Sequence, residues 1–205
     1  MPGILINSTD RVTISGLPGT GKTTLTRYLC SLVEPYLLLY DPLDQYTGFK
    51  DECRYVPKTD SLIEFDNVCK QLCARSNVTF VVEEAERYLG QGKPLYENTF
   101  NLINRGRNWG VGIIAVTRRI QRLSKDYFDL CQHVIFFRCG VKSRGYIKDM
   151  CGWGIADKVI KLERYHFLMY NVETEETAIR YLNLAGTRPH LEGKGKEVVE
   201  GKGNK

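Results

Sequence analysis

The sequence predicts an α/β fold in which helices cover both faces of a mostly parallel central sheet, with a β-hairpin at the carboxyl-terminal end. Two observations predict it. Short apolar or β-branched runs alternate with longer segments whose apolar residues recur at helical spacing, which is typical of parallel sheets with helical crossovers. Near the end of the chain, two further runs are separated only by the acidic turn at 173–176, which is typical of an antiparallel hairpin.

Each element follows from its local composition. Five runs have the length and apolar content of buried strands, namely 11–15, 36–40, 78–82, 111–116 and 133–137. Five segments suit helices, namely 22–33, 61–75, 96–104, 143–151 and 155–162. The first helix is expected to end at Glu34 because the residue before a proline avoids the helical conformation. The hairpin strands are 165–172 and 177–182.

Length and composition predict one domain over residues 1–189, followed by a disordered tail over 190–205 that is rich in glycine, lysine and glutamate. No apolar run approaches the ~20 residues of a membrane span, and the start of the chain does not resemble a signal peptide. Seven cysteines without a Cys-x-x-Cys pair are expected to be reduced thiols in a cell interior. The formal net charge of +5 is compatible with a polyanionic partner.

The segment between the first strand and the first helix matches a phosphate-binding loop (P-loop), G-x-x-x-x-G-K-[ST]. Its glycines allow the backbone N–H groups to face phosphate oxygens, and the helix N-terminus adds about half a positive charge. Lys22 is expected to reach the β- and γ-phosphates, and the Thr23 hydroxyl to bind Mg²⁺. The predicted cofactors are ATP and Mg²⁺, and the predicted nucleotide-binding residues are Gly16, Leu17, Pro18, Gly19, Thr20, Gly21, Lys22, Thr23 and Thr24.

Two adjacent carboxylates, Glu83 and Glu84, directly follow the strand at 78–82. Because neighbouring like charges repel, we expect a cation close to them. In P-loop enzymes such a strand is expected beside the P-loop strand, with its end facing Mg²⁺ and the γ-phosphate. Glu83 is then a direct or water-mediated Mg²⁺ ligand, and Glu84 the general base that deprotonates the attacking water. The alternative is that both are solvated residues opening a helix.

Motif order adds a family resemblance. A strand and a helix separate the P-loop helix from the acidic strand, and an inserted strand between the P-loop and acidic strands is typical of additional-strand catalytic-glutamate (ASCE) ATPases. Further stretches resemble known ATPases: Y-D-P-L-D-Q-Y at 40–46, V-V-E-E-A at 81–85, N-R-G-R-N-W-G-V-G-I-I-A-V-T-R-R at 104–119 and the terminal hairpin. With the P-loop, they make the chain resemble the HerA–FtsK class of these enzymes over about 11–181. Within that class it is similar to the short genome-packaging ATPases of archaeal and other icosahedral viruses with double jelly-roll capsids.

The resemblance implies an ATPase that moves double-stranded DNA into a capsid. It implies a homo-oligomeric ring, a hexamer in the class, with capsid proteins as further partners and the host cytoplasm as its location. Arg107 matches an arginine that serves the neighbouring subunit's nucleotide, and Arg105 is the alternative. Arg118 stands where the class usually has a glutamine that senses the γ-phosphate, so Thr117 is the alternative sensor.

Two basic clusters follow the last two predicted parallel strands, and each is expected either to hold a DNA phosphate backbone or to be a solvated surface. They comprise Arg118, Arg119, Arg122 and Lys125, and Arg138, Lys142, Arg144 and Lys148. Three other functions remain open on the sequence. They are a cellular or conjugative DNA pump of the same class, a P-loop nucleotide or small-molecule kinase, and a nucleotide-dependent switch with slow turnover.

Overall fold

The structure, a computed structural model, describes residues 6–34, 36–183 and 190–193. Its strands are β1 (Arg11–Ser15), β2 (Leu37–Tyr40), β3 (Arg54–Tyr55), β4 (Val78–Val82), β5 (Val111–Thr117), β6 (His133–Phe137), β7 (His166–Asn171), β8 (Thr177–Asn183) and β9 (His190–Gly193). Its α-helices are α1 (Lys22–Val33), α2 (Leu62–Cys73), α3 (Glu97–Arg105), α4 (Lys125–Asp129), α5 (Arg144–Cys151) and α6 (Trp153–Ile160). Short 3₁₀ helices cover Asp51–Cys53, Ala85–Arg87, Gly106–Trp109, Ile120–Arg122 and Val141–Ser143.

The strands form a single sheet in the order β3-β2-β4-β5-β1-β6-β7-β8-β9. The pairs from β3 to β6 are parallel, and the pairs from β6 to β9 are antiparallel. The predicted α/β class, the mostly parallel sheet and the carboxyl-terminal hairpin are therefore confirmed. In the described part of the chain, every helix is too short or too polar to cross a lipid bilayer.

Two details of the prediction are wrong. The acidic strand β4 does not lie beside the P-loop strand β1, because β5 lies between them and pairs with both. The inserted strand is thus β5, not the strand at 36–40, which pairs with β4 on its far side.

The chain also forms elements that the sequence analysis did not predict, namely the short β3, α4 and β9. The backbone of His190–Gly193 extends the sheet next to β8, although these residues were assigned to the tail. Edge pairing satisfies backbone groups whatever the side chains are, so composition alone does not reveal it. Residues 194–205 of the predicted tail lie outside the described residues.

Helices cover both faces of the sheet, as predicted. Apolar side chains of α1, such as Leu25, pack on one face against Ile14 and Val116. The other face carries α2 and α3, with Phe65 against Phe80. The same face carries α5 and α6 over β6 and β7, in a cluster of its own. Buried packing on both faces fixes the carboxyl ends of the parallel strands at one edge of the sheet, where ligands bind in such folds.

The first turn of α2 is capped by two side chains. The Ser61 hydroxyl accepts the Ile63 N–H at 3.1 Å, and Glu64 accepts the N–H groups of Lys58 and Thr59 at 2.8 and 2.9 Å. Glu64 also accepts the hydroxyls of Thr59 and Tyr55. The bond from the Thr59 hydroxyl, with the other bonds, lowers the pKa of Glu64 to about 2. The carboxylate therefore stabilises the fold fully above the unfolded pKa of 4.5, and that contribution is lost as the pH falls towards 2.

Glu64→Gln is expected to lower the free energy of unfolding by about 1 kcal/mol at neutral pH, because glutamine offers one acceptor oxygen instead of two. Urea unfolding measures this. The difference in free energy of unfolding between the variant and the parent should shrink as the pH falls below 4.5, the pKa of Glu64 in the unfolded chain. Glu97→Gln is the matched control, since Glu97 opens α3 and makes no side-chain hydrogen bond or ion pair within the described residues. Equal losses in both variants would contradict the assigned cap.

Candidate nucleotide-binding site

A cleft of about 310 Å³ lies where the carboxyl ends of β1, β4 and β5 meet. The P-loop forms one wall, and the ends of β4 and β5 form another. The lining residues outside the P-loop region are Gln45, Glu83, Glu84, Val116, Thr117, Arg118, Arg164 and Tyr165. The structure thus brings the predicted phosphate loop, both carboxylates and Thr117 to one place.

The P-loop is held in shape by close contacts that only glycine permits. A Cβ atom on Gly16 would lie 2.6 Å from the Cβ of Phe137. Gly21 has a φ of +116°, and a Cβ atom there would lie 2.9 Å from the ring of Tyr165. Backbone bonds tie the loop to its neighbours, from Leu17 N–H to Arg138 O at 2.9 Å and from Tyr165 N–H to Thr20 O at 2.9 Å. The loop is therefore preorganised between β6 and β7.

Lys22 lies inside the curve of this loop. Its ammonium donates to the carbonyl oxygens of Gly16 at 2.7 Å and Leu17 at 3.0 Å. Burial lowers the pKa of Lys22, and the nearby Glu83 carboxylate opposes that effect. The next residue, Thr23, also lines the cleft. A buried ammonium with only two carbonyl partners keeps a third N–H donor for an anion in the cleft.

Glu83 is buried at the end of β4, with 4% of its surface exposed. The Tyr46 hydroxyl donates a hydrogen bond to its Oε1. Burial raises the pKa of Glu83 to about 7, while Tyr46 and Lys22 act in the opposite direction. Such a carboxylate changes its charge readily when a cation approaches or leaves.

Tyr46 is positioned by the buried carboxylate of Asp41, which accepts the N–H groups of Gln45 at 3.1 Å and Tyr46 at 2.9 Å. Arg54 forms an ion pair with Asp41 at 3.2 Å. The stretch 40–46 carries part of the family resemblance, but the sequence alone predicted no role for Tyr46. The tyrosine that ends this stretch is the signal from which its contact with Glu83 could have been found.

Glu84 follows in an unusual conformation. Its φ is +51°, which is uncommon for a residue other than glycine and recurs at functional sites. Its Oε1 lies 2.6 Å from Arg118 Nε, and its Oε2 lies 3.8 Å from Arg87 Nε. The two neighbouring carboxylates are therefore compensated by different groups, Glu83 by a hydroxyl and a lysine, and Glu84 by two arginines.

Thr117 and Arg118 end β5 between the P-loop and the acidic strand. Thr117 is buried, pairs in register with Ser15 of β1, and accepts the Arg119 N–H at 3.1 Å through its hydroxyl. The Arg118 side chain is half exposed and lines the cleft while it contacts Glu84. Both residues discussed as γ-phosphate sensors are thus within the site.

The residues of the cleft fit a magnesium ion held together with a nucleotide. Mg²⁺ is commonly bound through one or two protein oxygens plus substrate phosphates and waters. The Thr23 hydroxyl and the Glu83 carboxylate are oxygen ligands of this kind, and both line the cleft. Among the described residues, no group of three or more His, Cys, Asp or Glu side chains could hold a metal by itself.

Arg105 and Arg107 do not line the cleft of their own chain. They are exposed, at the end of α3 and in the 3₁₀ helix that leads into β5. Since the cleft lies at the opposite end of the seven-residue β5, roughly 20 Å of strand separates them from it.

Arg164 and Tyr165, which directly precede β7, also line the cleft, and no role in the site was predicted for them from the sequence. Arg164 Nε donates to Gly19 O at 3.1 Å, and its guanidinium lies 4.8 Å from the Tyr165 ring centre. No local pattern indicated them, because their place in the site depends on how the hairpin packs against the P-loop.

Tyr46→Phe is expected to lower the free energy of unfolding by about 1.5–3 kcal/mol, because it leaves a buried carboxylate without its hydroxyl donor. Chemical denaturation measures the loss. Tyr28→Phe is the matched control, because Tyr28 is half-buried and its hydroxyl makes no hydrogen bond within 6–34, 36–183 and 190–193. A Tyr46→Phe variant as stable as the control would mean that Tyr46 does not support Glu83.

Comparison with known proteins identifies the fold. No protein-family model and no curated protein match the sequence. Among solved structures, the genome packaging NTPase B204 from Sulfolobus turreted icosahedral virus 2 with ATP-gammaS superposes with a TM-score of 0.75, 18% identity, and coverage of 85% of this chain and 98% of that chain. The DNA-packaging ATPase B204 from Sulfolobus turreted icosahedral virus superposes with a TM-score of 0.73 and 17% identity, and the match covers 85% of this chain and 98% of that chain.

A third solved structure is the pCW3 conjugation coupling protein TcpA with ATPgS, with a TM-score of 0.56, 13% identity, and coverage of 81% of this chain and 58% of that chain. At these identities the likeness concerns the fold. The α/β fold expected from the resemblance is thereby confirmed.

Proposed function

We propose that the protein is an ATPase that uses ATP hydrolysis to move double-stranded DNA. The observation that carries the proposal is the meeting of Lys22, Thr23, Glu83 and Glu84 in one cleft at the carboxyl edge of the sheet. A phosphate loop, an oxygen-ligand pair for Mg²⁺ and a second carboxylate are the groups that phosphoryl transfer to water requires.

Each group has a specific task in this proposal. The P-loop N–H groups and Lys22 bind the phosphates. Thr23 and Glu83 would hold Mg²⁺, which would supply charge neutralisation at the phosphate oxygens. Glu84 accepts a proton from a water as the water oxygen bonds to the γ-phosphorus and the bond from that phosphorus to the β–γ bridging oxygen breaks. The products are ADP and inorganic phosphate.

Arg118 connects the general base to the nucleotide. A guanidinium carries five N–H donors, so it can keep its contact with Glu84 while it donates to a γ-phosphate oxygen. Through these two contacts, Arg118 could contact the γ-phosphate at the position where the HerA–FtsK class has a glutamine. Thr117 is the second candidate for the γ-phosphate contact.

The finer proposal is that the DNA is a viral genome and the destination is a capsid. It is supported by the motif order described above and by solved structures whose names describe genome packaging. The higher structural similarity to the packaging NTPase, with a TM-score of 0.75 against 0.56 for the conjugation coupling protein, favours packaging over conjugative transfer. The protein would act in the host cell interior, with capsid proteins as partners.

The proposed assembly is a homo-oligomeric ring, a hexamer by resemblance. Arg107 reaches a nucleotide only in another subunit, because it lies at the far end of β5 from its own cleft. A head-to-tail contact that supplies such a residue must close into a ring or continue as a filament.

Phosphate release measured with and without duplex DNA tests the function. We expect Mg²⁺-dependent release of phosphate from ATP that duplex DNA accelerates. A kinase would instead transfer the phosphate to an added acceptor such as a nucleoside monophosphate. A nucleotide switch would bind ATP with negligible turnover in either condition. Either of these last two results would overturn the proposal.

A further inference from the structure

Four exposed cations form a surface beside the cleft, which we call the basic surface: Arg119, Arg122, Arg138 and Lys142. They lie on two loops, one that follows β5 and one that follows β6. None of the four forms an ion pair in the described parts of the chain. The neighbouring cations differ, since Arg118 pairs with Glu84 and Arg144 pairs with Asp157.

The two loops are joined to each other. The Ser143 hydroxyl of the second loop donates to Gln121 Oε1 of the first at 3.0 Å. Below this bond, Ile120 of the first loop packs in the same buried cluster as Cys139 of the second and Ile147 of α5. The basic surface is therefore one structural unit, and not two independently solvated turns.

The basic surface is also continuous with the nucleotide site. On the first loop, Arg119 directly follows Arg118, which contacts the proposed general base. On the second loop, Arg138 O accepts the N–H of Leu17 in the P-loop at 2.9 Å. Each loop is thus one hydrogen bond or one residue away from a group of the proposed nucleotide site.

We propose that the basic surface binds the phosphate backbone of double-stranded DNA, and that this contact is the one through which DNA acts on the nucleotide site. This inference rests on the proposed function. Duplex DNA carries one negative charge per about 1.7 Å of its axis, and the four exposed cations of these joined loops, without ion pairs among the described residues, have the opposite charge.

The chemistry of the basic surface favours DNA phosphates over a protein partner and over base recognition. Its side chains carry guanidinium and ammonium groups, and within the described stretch 119–142 Val141 is the one exposed large apolar residue. Cations that contact phosphates position a duplex without reading its sequence. The exposed Trp153 already has Arg144 and Lys148 against its ring, which does not suit stacking on bases.

The test compares Arg122→Ala/Lys142→Ala, one change in each loop, with the control Arg75→Ala/Lys70→Ala. Arg75 and Lys70 are exposed cations without an ion pair among the residues described, at the end of α2 and within it. Binding of a labelled random duplex is measured by fluorescence anisotropy over a range of salt concentrations, with a nonhydrolysable ATP analogue present.

We expect the slope of log affinity against log salt to fall by about 2 in the loop variant, since each lost phosphate contact removes about 0.9 from it. The change should be equal for AT-only and GC-only duplexes, and absent in the control. Arg122→Lys/Lys142→Arg should restore the slope, because it keeps both charges. The ratio of DNA-stimulated to DNA-free turnover should fall together with binding.

Two results would overturn the inference, and they are distinguishable. If the parent binds duplex DNA and Arg122→Ala/Lys142→Ala has the same salt slope as the parent, the basic surface does not bind the DNA, but the proposed function stands. If the parent binds no duplex DNA, and duplex does not stimulate phosphate release, both the surface and the proposed function fail. Melting temperatures equal to that of the parent would confirm that all variants are folded, so that their salt slopes can be compared.

Discussion

Glu84→Gln is expected to lower the rate of ATP hydrolysis at least about a hundredfold while ATP binding is retained, because glutamine cannot accept the proton of the attacking water. The loss should appear in turnover and not in the affinity for a nonhydrolysable analogue, since the phosphate-binding groups of the P-loop are unchanged. Phosphate release and equilibrium binding of a fluorescent analogue measure the two quantities separately.

The position of Glu84 means that Glu84→Gln tests its role as general base without a change in the geometry of the site. Its backbone is in the left-handed region, and its side chain is held towards the cleft by Arg118 at 2.6 Å. A residue whose only task was to open a helix in solvent would need neither the strained backbone nor a buried carboxylate paired with an arginine. Glutamine keeps the length and an oxygen for Arg118, so the geometry should survive while the basicity is lost.

Glu86→Gln is the matched control, because Glu86 lies two residues away and accepts the Arg118 N–H at 3.3 Å. Glutamine keeps that acceptor oxygen, so turnover should stay close to that of the parent. If Glu84→Gln hydrolysed ATP as fast as Glu86→Gln, Glu84 would not be the general base. The nucleotide-switch alternative predicts that outcome, since a switch loses little when its carboxylate is neutralised.

The parts of the site that could be predicted are those in which chemistry depends on local sequence. The P-loop motif is continuous from Gly16 to Thr23 and directly follows β1, so the strand, the turn and the start of the helix are visible in the thirteen residues 11–23. Glu83 and Glu84 end an apolar strand, and a strand of a parallel sheet brings its last residues to the ligand-binding edge wherever it lies in the sheet. The prediction therefore placed the carboxylates at the cleft although it gave the wrong neighbour for β4.

The parts that could not be predicted depend on contacts between distant segments. Strand order is decided by which apolar faces pack best, so the insertion of β5 between β1 and β4 has no local signature. Tyr46 reaches Glu83 only because Asp41 and Arg54 shape the preceding turn. The basic surface is similar, since the sequence shows two separate clusters, which are joined by the Ser143–Gln121 bond and by the packing of Ile120 with Cys139 and Ile147.

Arg107→Ala is expected to lower hydrolysis by about 10³-fold or more in the assembled protein, because an arginine supplied in trans is worth roughly 10³ to 10⁵ in phosphoryl transfer. Arg107 is exposed and lies at the end of β5 that is remote from its own P-loop. Its loss should therefore leave ATP binding to an isolated subunit unchanged. Arg105→Ala is the matched control, since Arg105 is an exposed arginine two residues away.

Mixing two inactive variants decides whether Arg107 acts between subunits. In a mixed ring of Arg107→Ala and Glu84→Gln chains, some contacts combine the intact Glu84 of the first chain with the intact Arg107 of the second. Hydrolysis should therefore reappear on mixing, although neither variant is active alone. If mixing does not restore hydrolysis, Arg107 acts within its own chain. If Arg105→Ala lowers hydrolysis and Arg107→Ala does not, Arg105 is the arginine that acts between subunits. Full activity in both variants would leave the cleft complete within a single subunit and remove the reason for a ring.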